Sequence, residues 1–261
     1  MSLVVCSPST QNFIEGEKFI VNGPPTKEIL SLQGKYNDVV AVGGGAVIDT
    51  AKMLSNTPII CYPTTAAGAS ATSHSVYWDG TNKMNFESFI PKEVKFESKF
   101  LKSLPKNILL HTRYDAISHC LDVIWSKDIN KLNKIEVEDT LTKLINPKTT
   151  PIDIIKLGHK AGSFIQKVPT TILHALSYPL TGKYGISHGK ALGFLIPPLC
   201  RIFNYESKIN NLEKLNKFVD IDVEFIINKA QTYNKFFNTN KPIDLNILSE
   251  ELNYEKNKLL N

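Results

Sequence analysis

Apolar positions in the first hundred residues fall into short runs of β-branched and aliphatic side chains, each closed by a cluster of Gly, Pro, Asn or Ser. Such runs predict buried strands, and the segments between them have helical spacing. The predicted strands are Ser2–Cys6, Lys18–Val21, Asp38–Val42 and Thr57–Tyr62, and the predicted helices are Lys27–Leu32 and Val47–Leu54. Strand, helix and strand in this order predict a parallel sheet with crossover helices.

From about Pro105 onward, helical periodicity replaces the strand pattern. The predicted helices are Arg113–Ser126, Ile135–Leu144, Pro151–Phe164, Thr170–Tyr178 and Gly189–Arg201. The pattern predicts two domains, an α/β domain over residues 1–104 and an all-helical domain over residues 105–261. The tail beyond Asn204 is rich in Asn and Lys, and we expect it to pack loosely.

Composition narrows the class of protein. The 261 residues are 42% hydrophobic and 21% charged, a globular balance, and no apolar run reaches the roughly 20 residues of a membrane helix. The N-terminus lacks the basic and apolar regions of a signal peptide. The net charge is +5, but the cations are scattered and nearly all Lys, with only two Arg, which argues against a nucleic-acid partner. Four separated cysteines without a CxxC predict free thiols and a cytoplasmic protein.

Three consecutive glycines, Gly43 to Gly45, stand between a predicted strand and a predicted helix. They let the backbone approach an anion, and the following helix N-terminus offers free N–H groups. This arrangement predicts a pyrophosphate site, although it is neither the GxGxxG fingerprint nor a Walker A loop. The alternative is a tight turn that binds no ligand.

A second polar loop, Pro63–Ser70 with the sequence PTTAAGAS, follows the next predicted strand. Ligands of open α/β sheets bind at the carboxyl ends of the strands, where both loops are expected. The hydroxyls of Thr64 and Thr65 could flank a ribose or a nicotinamide. On its own, an ordinary polar loop is the better interpretation.

Four residues in the helical part could bind one metal ion. Asp115 and His119 are four apart and share a helix face, and His174 and His188 follow on later predicted helices. One carboxylate with three imidazoles suits Fe(II) or Zn(II) better than Mg²⁺ or Ca²⁺. Taken singly, His174 or His188 is better explained as a hydrogen-bonded core or capping histidine, and the alternative for Asp115 with His119 is an exposed capping pair.

In this order the motifs resemble the iron-dependent (group III) alcohol dehydrogenases. The resemblance rests on GGG with D..AK after it, PTT-A-G-x-S, DA..H, H(x)13H with a final HG, and FESKFLKSLP, and it covers about residues 2–198. It implies an α/β nucleotide-binding domain followed by an all-α metal-binding domain, in the dehydroquinate synthase-like fold.

The resemblance also implies site residues. The implied metal ligands are Asp115, His119, His174 and His188, and the implied cofactor-binding residues are Gly43, Gly44, Gly45, Ala46, Asp49, Thr64, Thr65 and Lys83. The metal would be Fe(II) or Zn(II), and the cofactor NADP or NAD. Ser7 stands where the family often has an acidic residue after a strand, so a neutral side chain there would tolerate the 2′-phosphate of NADP.

The strings HALSYPLT and DAISHCLDVIWS look most like the phosphonoacetaldehyde reductase branch. The implied reaction is NAD(P)H-linked reduction of a small anionic aldehyde to a primary alcohol, with the metal as Lewis acid. Tyr178, where many members have a second histidine, is a candidate proton relay. Candidate partners for the substrate anion are Lys183, Lys190, Arg113 and His159. A homodimer is left open.

The chain departs from the family pattern in several places. It is shorter than typical members, Ala46 replaces a serine after the glycines, and the bulky pair Arg113-Tyr114 replaces small residues before Asp115. Three alternatives follow: another iron-type alcohol or polyol dehydrogenase, a sugar-phosphate cyclase, or a shortened relative that binds nucleotide or metal without catalysis.

Overall fold

A five-stranded parallel sheet forms the centre of the N-terminal part in the computed structural model, which describes residues 2–260. Its strands are β1 (Leu3–Cys6), β2 (Glu17–Ile20), β3 (Val39–Gly43), β4 (Ile60–Pro63) and, beyond an intervening hairpin, β7 (Glu93–Val94). The strand order is β2-β1-β3-β4-β7, and every neighbouring pair is parallel. The parallel sheet and its predicted strands are therefore confirmed, with shifted ends.

The hairpin is a feature that the strand analysis missed. It consists of β5 (His74–Asp79) and β6 (Asn82–Glu87), which pair antiparallel. Gly80 in the turn has φ +60, a left-handed conformation that glycine adopts at little cost. The Asp-Gly pair at this turn is a hairpin signal that was available in the sequence.

The core of the sheet comes from the alternating apolar positions of its strands and from the first helix. Helix α1 (Gly45–Leu54) lies on the sheet and buries Ile48 and Leu54 against Leu3, Val5 and Val39. The predicted helix over residues 27–32 is a short 3-10 helix.

Seven further α-helices follow within residues 2–260. They are α2 (Lys106–Trp125), α3 (Lys134–Ile145), α4 (Pro151–Lys167), α5 (Ile172–Tyr184), α6 (His188–Ile202), α7 (Val223–Ala230) and α8 (Leu245–Leu260). The helical character of this part is confirmed, but α2 begins earlier than predicted and α5 ends later. Pro179 lies inside α5, and Pro197 and Pro198 lie inside α6.

By its internal contacts the chain divides into two compact units. The first contains the residues up to Arg113 together with Thr150–Gln166, and the second contains Tyr114–Thr149 together with the residues from Lys167 onward. The division falls within α2, and α4 belongs to the first unit. A domain boundary between residues 104 and 105 remains a prediction. That prediction did not anticipate that α4 belongs to the first unit.

Helix α4 packs closely on the polar loop after β4. A Cβ atom at Gly158 would lie 2.4 Å from the backbone oxygen of Ala66, and one at Gly162 would lie 2.5 Å from that of Gly68. The Nδ1 of His159 lies 2.9 Å from Ser70 Oγ. The two glycines, one turn apart, thus allow a helix to touch the loop backbone.

The expectation that the tail beyond Asn204 packs loosely is wrong. Leu248 and Leu252 on α8 are fully buried, and Phe236 is buried before them. Leu248 and Leu252 lie one turn apart among many Asn and Lys residues and form the apolar face of an amphipathic helix. The polar composition of the tail gave no indication of this face. Within the described residues, no helix is both long and apolar enough to cross a membrane.

Candidate functional site

The glycine loop joins β3 to α1 and touches the loop after β4. A Cβ at Gly43 would lie 2.6 Å from the Val47 side chain, and one at Gly44 would lie 3.0 Å from that of Thr65. The Thr64 N–H donates to the Gly43 carbonyl at 3.0 Å. Close packing therefore requires glycine here, and the structure brings Gly43, Gly44, Gly45, Ala46, Thr64 and Thr65 together around the start of α1.

The N-terminal turn of α1 can receive an anion. The helix begins at Gly45 with Gly44 as its N-cap, and no side chain caps it. The first N–H groups of a helix have no acceptor within the helix, and the helix dipole adds partial positive charge. A phosphate group fits this arrangement.

Two charged residues on α1 lie below this turn. Lys52 is only 1% exposed, and its Nζ donates to the carbonyls of Ala69 and Thr72, each at 2.6 Å. Burial lowers the pKa of Lys52. Burial raises the pKa of Asp49 to about 6, although Lys52 and Lys83 oppose this shift. Asp49 and Lys83 therefore lie within electrostatic range of each other.

Ser7 directly follows β1. Its backbone N–H and its Oγ both contact Thr10 Oγ1, at 3.1 and 3.0 Å, and Thr10 in turn donates to the Val42 carbonyl at 2.8 Å. These bonds link the end of β1 to the end of β3. Ser7 stays at the carboxyl edge of the sheet, where the sequence predicted it.

The predicted metal ligands converge within the second unit. Asp115 and His119 lie one turn apart on α2, His174 lies on α5, and His188 is the first residue of α6. The Nε2 atoms of the three histidines lie 3.3, 3.5 and 3.8 Å from Asp115 Oδ1, in that order. One ligand atom each from Asp115, His119 and His174 fits within a span of 4.8 Å.

The chemistry of this cluster fits a divalent ion. Asp115 Oδ1 is buried without a hydrogen-bond partner, an arrangement that is costly for a carboxylate unless a cation binds it. Burial alone would raise the pKa of Asp115, but the imidazoles of His119, His174 and His188 outweigh it and hold that pKa below its ordinary value. One carboxylate and three imidazoles form a donor set typical of Fe(II) or Zn(II).

His188 is the open side of the cluster. Its side chain is 25% exposed, whereas those of His119 and His174 are each 4% exposed. The cluster is therefore accessible to solvent from the side of His188.

Asp122 is a site residue that the sequence analysis missed. It lies on α2 and is 0% exposed, and its Oδ2 lies 2.8 Å from His174 Nδ1. Its Oδ1 accepts from Thr171 Oγ1 at 2.7 Å and from the Leu173 N–H at 3.0 Å. The carboxylate holds the His174 proton on Nδ1, and this leaves Nε2 as the lone-pair nitrogen toward Asp115.

Tyr178 lies beside the cluster. Its ring stacks on that of His188 with centroids 6.2 Å apart, and Tyr233 contacts it edge-on at 5.3 Å. Its Oη accepts a hydrogen bond of 2.8 Å from Lys235 Nζ. Lys235, from a short 3-10 helix after α7, is a second residue that the sequence analysis did not select.

Tyr114, the second residue of the bulky pair before Asp115, packs against α6. Tyr114 is buried, and its hydroxyl donates to the Glu213 carbonyl at 2.6 Å. Its ring occupies the place that a Cβ would take at Gly193, which would come within 2.5 Å. The absence of a side chain at Gly193 on α6 therefore leaves space for the Tyr114 ring on α2.

The four cations proposed for the substrate anion have other surroundings. Lys183 Nζ lies 3.6 Å from the Phe225 ring centroid, and Lys190 Nζ lies 5.7 Å from that of Phe218. Arg113 and His159 belong to the first unit. Contact of any of the four with a substrate anion therefore remains a prediction.

Comparisons with known proteins show which proteins this chain resembles. Residues 153–251 match the family described as "Fe-containing alcohol dehydrogenase family, C-terminal". A maleylacetate reductase from Pseudomonas aeruginosa is 25% identical over 176 residues, which cover 62% of this chain and 50% of the relative. A 4-hydroxybutyrate dehydrogenase from Clostridium kluyveri is 24% identical over 222 residues, covering 69% of this chain and 59% of the relative. The chain thus spans about half the length of these relatives.

Solved structures extend the likeness over the whole chain. A sulfoacetaldehyde reductase from Bifidobacterium kashiwanohense, solved in complex with NAD⁺, superimposes with a TM-score of 0.78 at 18% identity, covering 98% of this chain and 90% of that one. At that identity the likeness establishes the fold. The chain therefore has the fold of the iron-containing alcohol dehydrogenases, and its residues 153–251 resemble the C-terminal part of that family.

Proposed function

We propose that this chain is a metal-dependent, NAD(P)H-linked oxidoreductase that reduces a small anionic aldehyde to a primary alcohol. The observation that carries the proposal is Asp115 Oδ1, a buried carboxylate oxygen without a hydrogen-bond partner that faces three imidazole Nε2 atoms at 3.3 to 3.8 Å. The family match over residues 153–251 supports it, because that segment contains two of the three histidines.

The residues divide into two sets. Asp115, His119, His174 and His188 would hold the metal, and the glycine loop with Ala46, Asp49, Thr64, Thr65 and Lys83 would hold the dinucleotide. When bound, the metal supplies Lewis acidity toward a carbonyl oxygen and the reduced nicotinamide supplies a hydride. Asp122 keeps His174 in the tautomer that a metal requires.

Reduction of an aldehyde adds a hydride to carbon and a proton to oxygen, and we assign the proton to Tyr178. Tyr178 suits this role because its ring stacks on His188 and its Oη accepts a hydrogen bond from Lys235 Nζ. We expect Tyr178→Phe to lower kcat and to alter its pH profile. If turnover and pH profile both stay as in the wild type, the proton comes from another group.

The relatives support an anionic substrate. Maleylacetate and 4-hydroxybutyrate carry carboxylates, and sulfoacetaldehyde carries a sulfonate. Our leading candidate is phosphonoacetaldehyde, reduced to 2-hydroxyethylphosphonate. A carboxylated aldehyde that yields 4-hydroxybutyrate is the second candidate, supported by the relative that covers 69% of this chain.

Cofactor choice depends on Ser7. A carboxylate after β1 would bind the ribose 2′-hydroxyl and repel a 2′-phosphate, whereas the Ser7 hydroxyl does neither strongly. We therefore propose that NADPH is accepted at least as well as NADH. A strong preference for NADH in steady-state assays would contradict this.

The proposed function is tested by following NADPH oxidation by the Fe(II)- or Zn(II)-loaded protein with a panel of small aldehydes. The panel includes phosphonoacetaldehyde, succinic semialdehyde and uncharged aldehydes of similar length. We expect oxidation that depends on both metal and aldehyde, abolished in His174→Ala and retained in His74→Ala, a change at an exposed histidine of β5. A protein that binds nucleotide but oxidises none of it with any aldehyde would favour a non-catalytic relative.

A further inference from the structure

Lys235 carries a positive charge that no carboxylate pairs with at close range. Its Nζ donates to Tyr178 Oη at 2.8 Å and to Thr170 Oγ1 at 3.1 Å, both neutral oxygens. Within the described residues, no carboxylate oxygen lies within 4.0 Å of Lys235 Nζ, so the structure shows no ion pair there. An ammonium group has three N–H donors, so one remains for a further acceptor.

The surroundings make this unpaired charge costly. Burial lowers the pKa of Lys235, and the Asp122 carboxylate opposes that shift only from a longer distance. Asp122 is already engaged by Thr171, by the Leu173 N–H and by His174. A partly buried ammonium gains stability when an anion binds at its remaining donor, because charge pairing offsets its lost hydration.

The charge on Lys235 is separated from the candidate metal ligands by one aromatic side chain, that of Tyr178. The Tyr178 ring stacks on His188 at 6.2 Å, and the Tyr178 hydroxyl contacts Lys235. His188 is also the most exposed of the three histidines, at 25%. A small aldehyde with its carbonyl at the cluster could therefore extend an anionic end along Tyr178 toward Lys235.

We propose that Lys235 Nζ, with the hydroxyl of Thr170, binds the oxyanion of the substrate and so selects aldehydes that carry a carboxylate, sulfonate or phosphonate. This rests on the proposed function and names the residue that determines its specificity. The group is charged and donates hydrogen bonds, so all three oxyanions suit it, and an uncharged chain end leaves the buried charge unpaired.

The test compares kcat/KM for succinic semialdehyde and for butyraldehyde, which have the same number of carbons but differ in charge. Loss of a hydrogen bond to a charged group predicts that Lys235→Met lowers the ratio of the two kcat/KM values by about 10- to 100-fold, mainly through KM. Lys235→Arg should restore most of the ratio. Lys229→Met, at an exposed lysine of α7, should leave the ratio as in the wild type.

Binding of product-like anions separates this proposal from the proposed function. In isothermal titration of the metal-loaded protein, 4-hydroxybutyrate or 2-hydroxyethylphosphonate should bind the wild type at least ~10-fold more tightly than Lys235→Met. Equal losses on both aldehydes, or anion binding unchanged by Lys235→Met, would overturn the Lys235 site while leaving the reaction class intact. Absence of binding by either anion to the wild type would overturn it too. If no aldehyde supports NADPH oxidation while anion binding still depends on Lys235, the proposed reaction is rejected instead.

Discussion

His174 Nδ1 lies 2.8 Å from the Oδ2 of Asp122, a carboxylate with no exposed surface. The two residues are 52 positions apart, on α5 and α2, so the contact ties together two helices that supply candidate ligands. Asp122 also accepts from the His174 and Leu173 N–H groups at the start of α5. One carboxylate thus sets the tautomer of the imidazole and holds the helix that carries it.

Asp122→Asn reverses the hydrogen bond to His174. The amide N–H₂ would donate to Nδ1, which moves the imidazole proton to Nε2 and removes the lone pair that faces Asp115. We expect metal affinity to fall by about 10- to 100-fold, as for other partners of metal-binding histidines. The measurement is a competition titration with a metal indicator. The control is Asp139→Asn, at an exposed carboxylate on α3 paired with Lys143, and equal affinity for all three proteins would refute the role of Asp122.

Metal removal should lower thermal stability in proportion to occupancy. A ligand that binds only the folded protein at 100 times its Kd stabilises it by about 2.7 kcal/mol. Chelation of the loaded wild type should therefore lower Tm, and re-addition of Fe(II) or Zn(II) should restore it. His119→Ala should show a Tm that responds to neither treatment. A Tm shift of the same size in this variant would place the metal elsewhere.

Gly158→Ala should destabilise the first unit. A methyl group there would lie 2.4 Å from the Ala66 carbonyl, so α4 or the loop must move. Forced displacement of this kind costs about 1–3 kcal/mol, more than the roughly 1 kcal/mol that alanine gains over glycine in a helix. Denaturant unfolding measures the difference. Gly23→Ala, where no atom lies within 4 Å of the added carbon, is the matched control.

Gly158→Ala should also weaken nucleotide binding, because Ala66, which the added methyl group would displace, directly follows the Thr64-Thr65 pair. Fluorescence titration with NADPH would show this. Stability and NADPH affinity equal to those of Gly23→Ala would contradict the close contact between α4 and the loop.

Asp49 should make stability depend on pH in a defined direction. Its pKa is raised from 3.8 to about 6 by burial, against the pull of Lys52 and Lys83. An acid whose pKa is higher in the folded state favours folding while protonated, and that contribution is lost as the pH rises through about 6. The Tm of the wild type, measured relative to that of Asp49→Asn, should therefore fall between pH 4 and pH 8. A Tm difference between the two proteins that stays constant over this range would refute the shifted pKa.

Local patterns predicted much of the fold. The β-branched run before Gly43 and the glycines after it were enough to place β3 and the start of α1, because a buried parallel strand and a tight turn each leave a local signature. The hairpin over residues 74–87 was missed, although Asp79-Gly80 marks its turn. The burial of α8 was missed because Leu248 and Leu252 stand among Asn and Lys.

The site was less accessible to such patterns. Asp115 and His119 are neighbours on one helix turn, and spacing alone suggested them. Asp122 and Lys235 act on residues 52 and 57 positions away, and nothing in their local sequence signals a partner. Contacts of this kind depend on how helices pack, so only the structure brings them out.

We propose that a metal held by Asp115 and the three histidines makes this chain an aldehyde reductase, and an anaerobic metal titration tests this most directly. Apoprotein with NADPH and phosphonoacetaldehyde or succinic semialdehyde receives Fe(II) or Zn(II) in steps while NADPH oxidation is followed. We predict a rate that rises from zero and saturates at one metal per chain, and no rate at any metal level in Asp115→Asn or His174→Ala. A wild-type rate that is equal with and without metal, or a full rate in either variant, would contradict it.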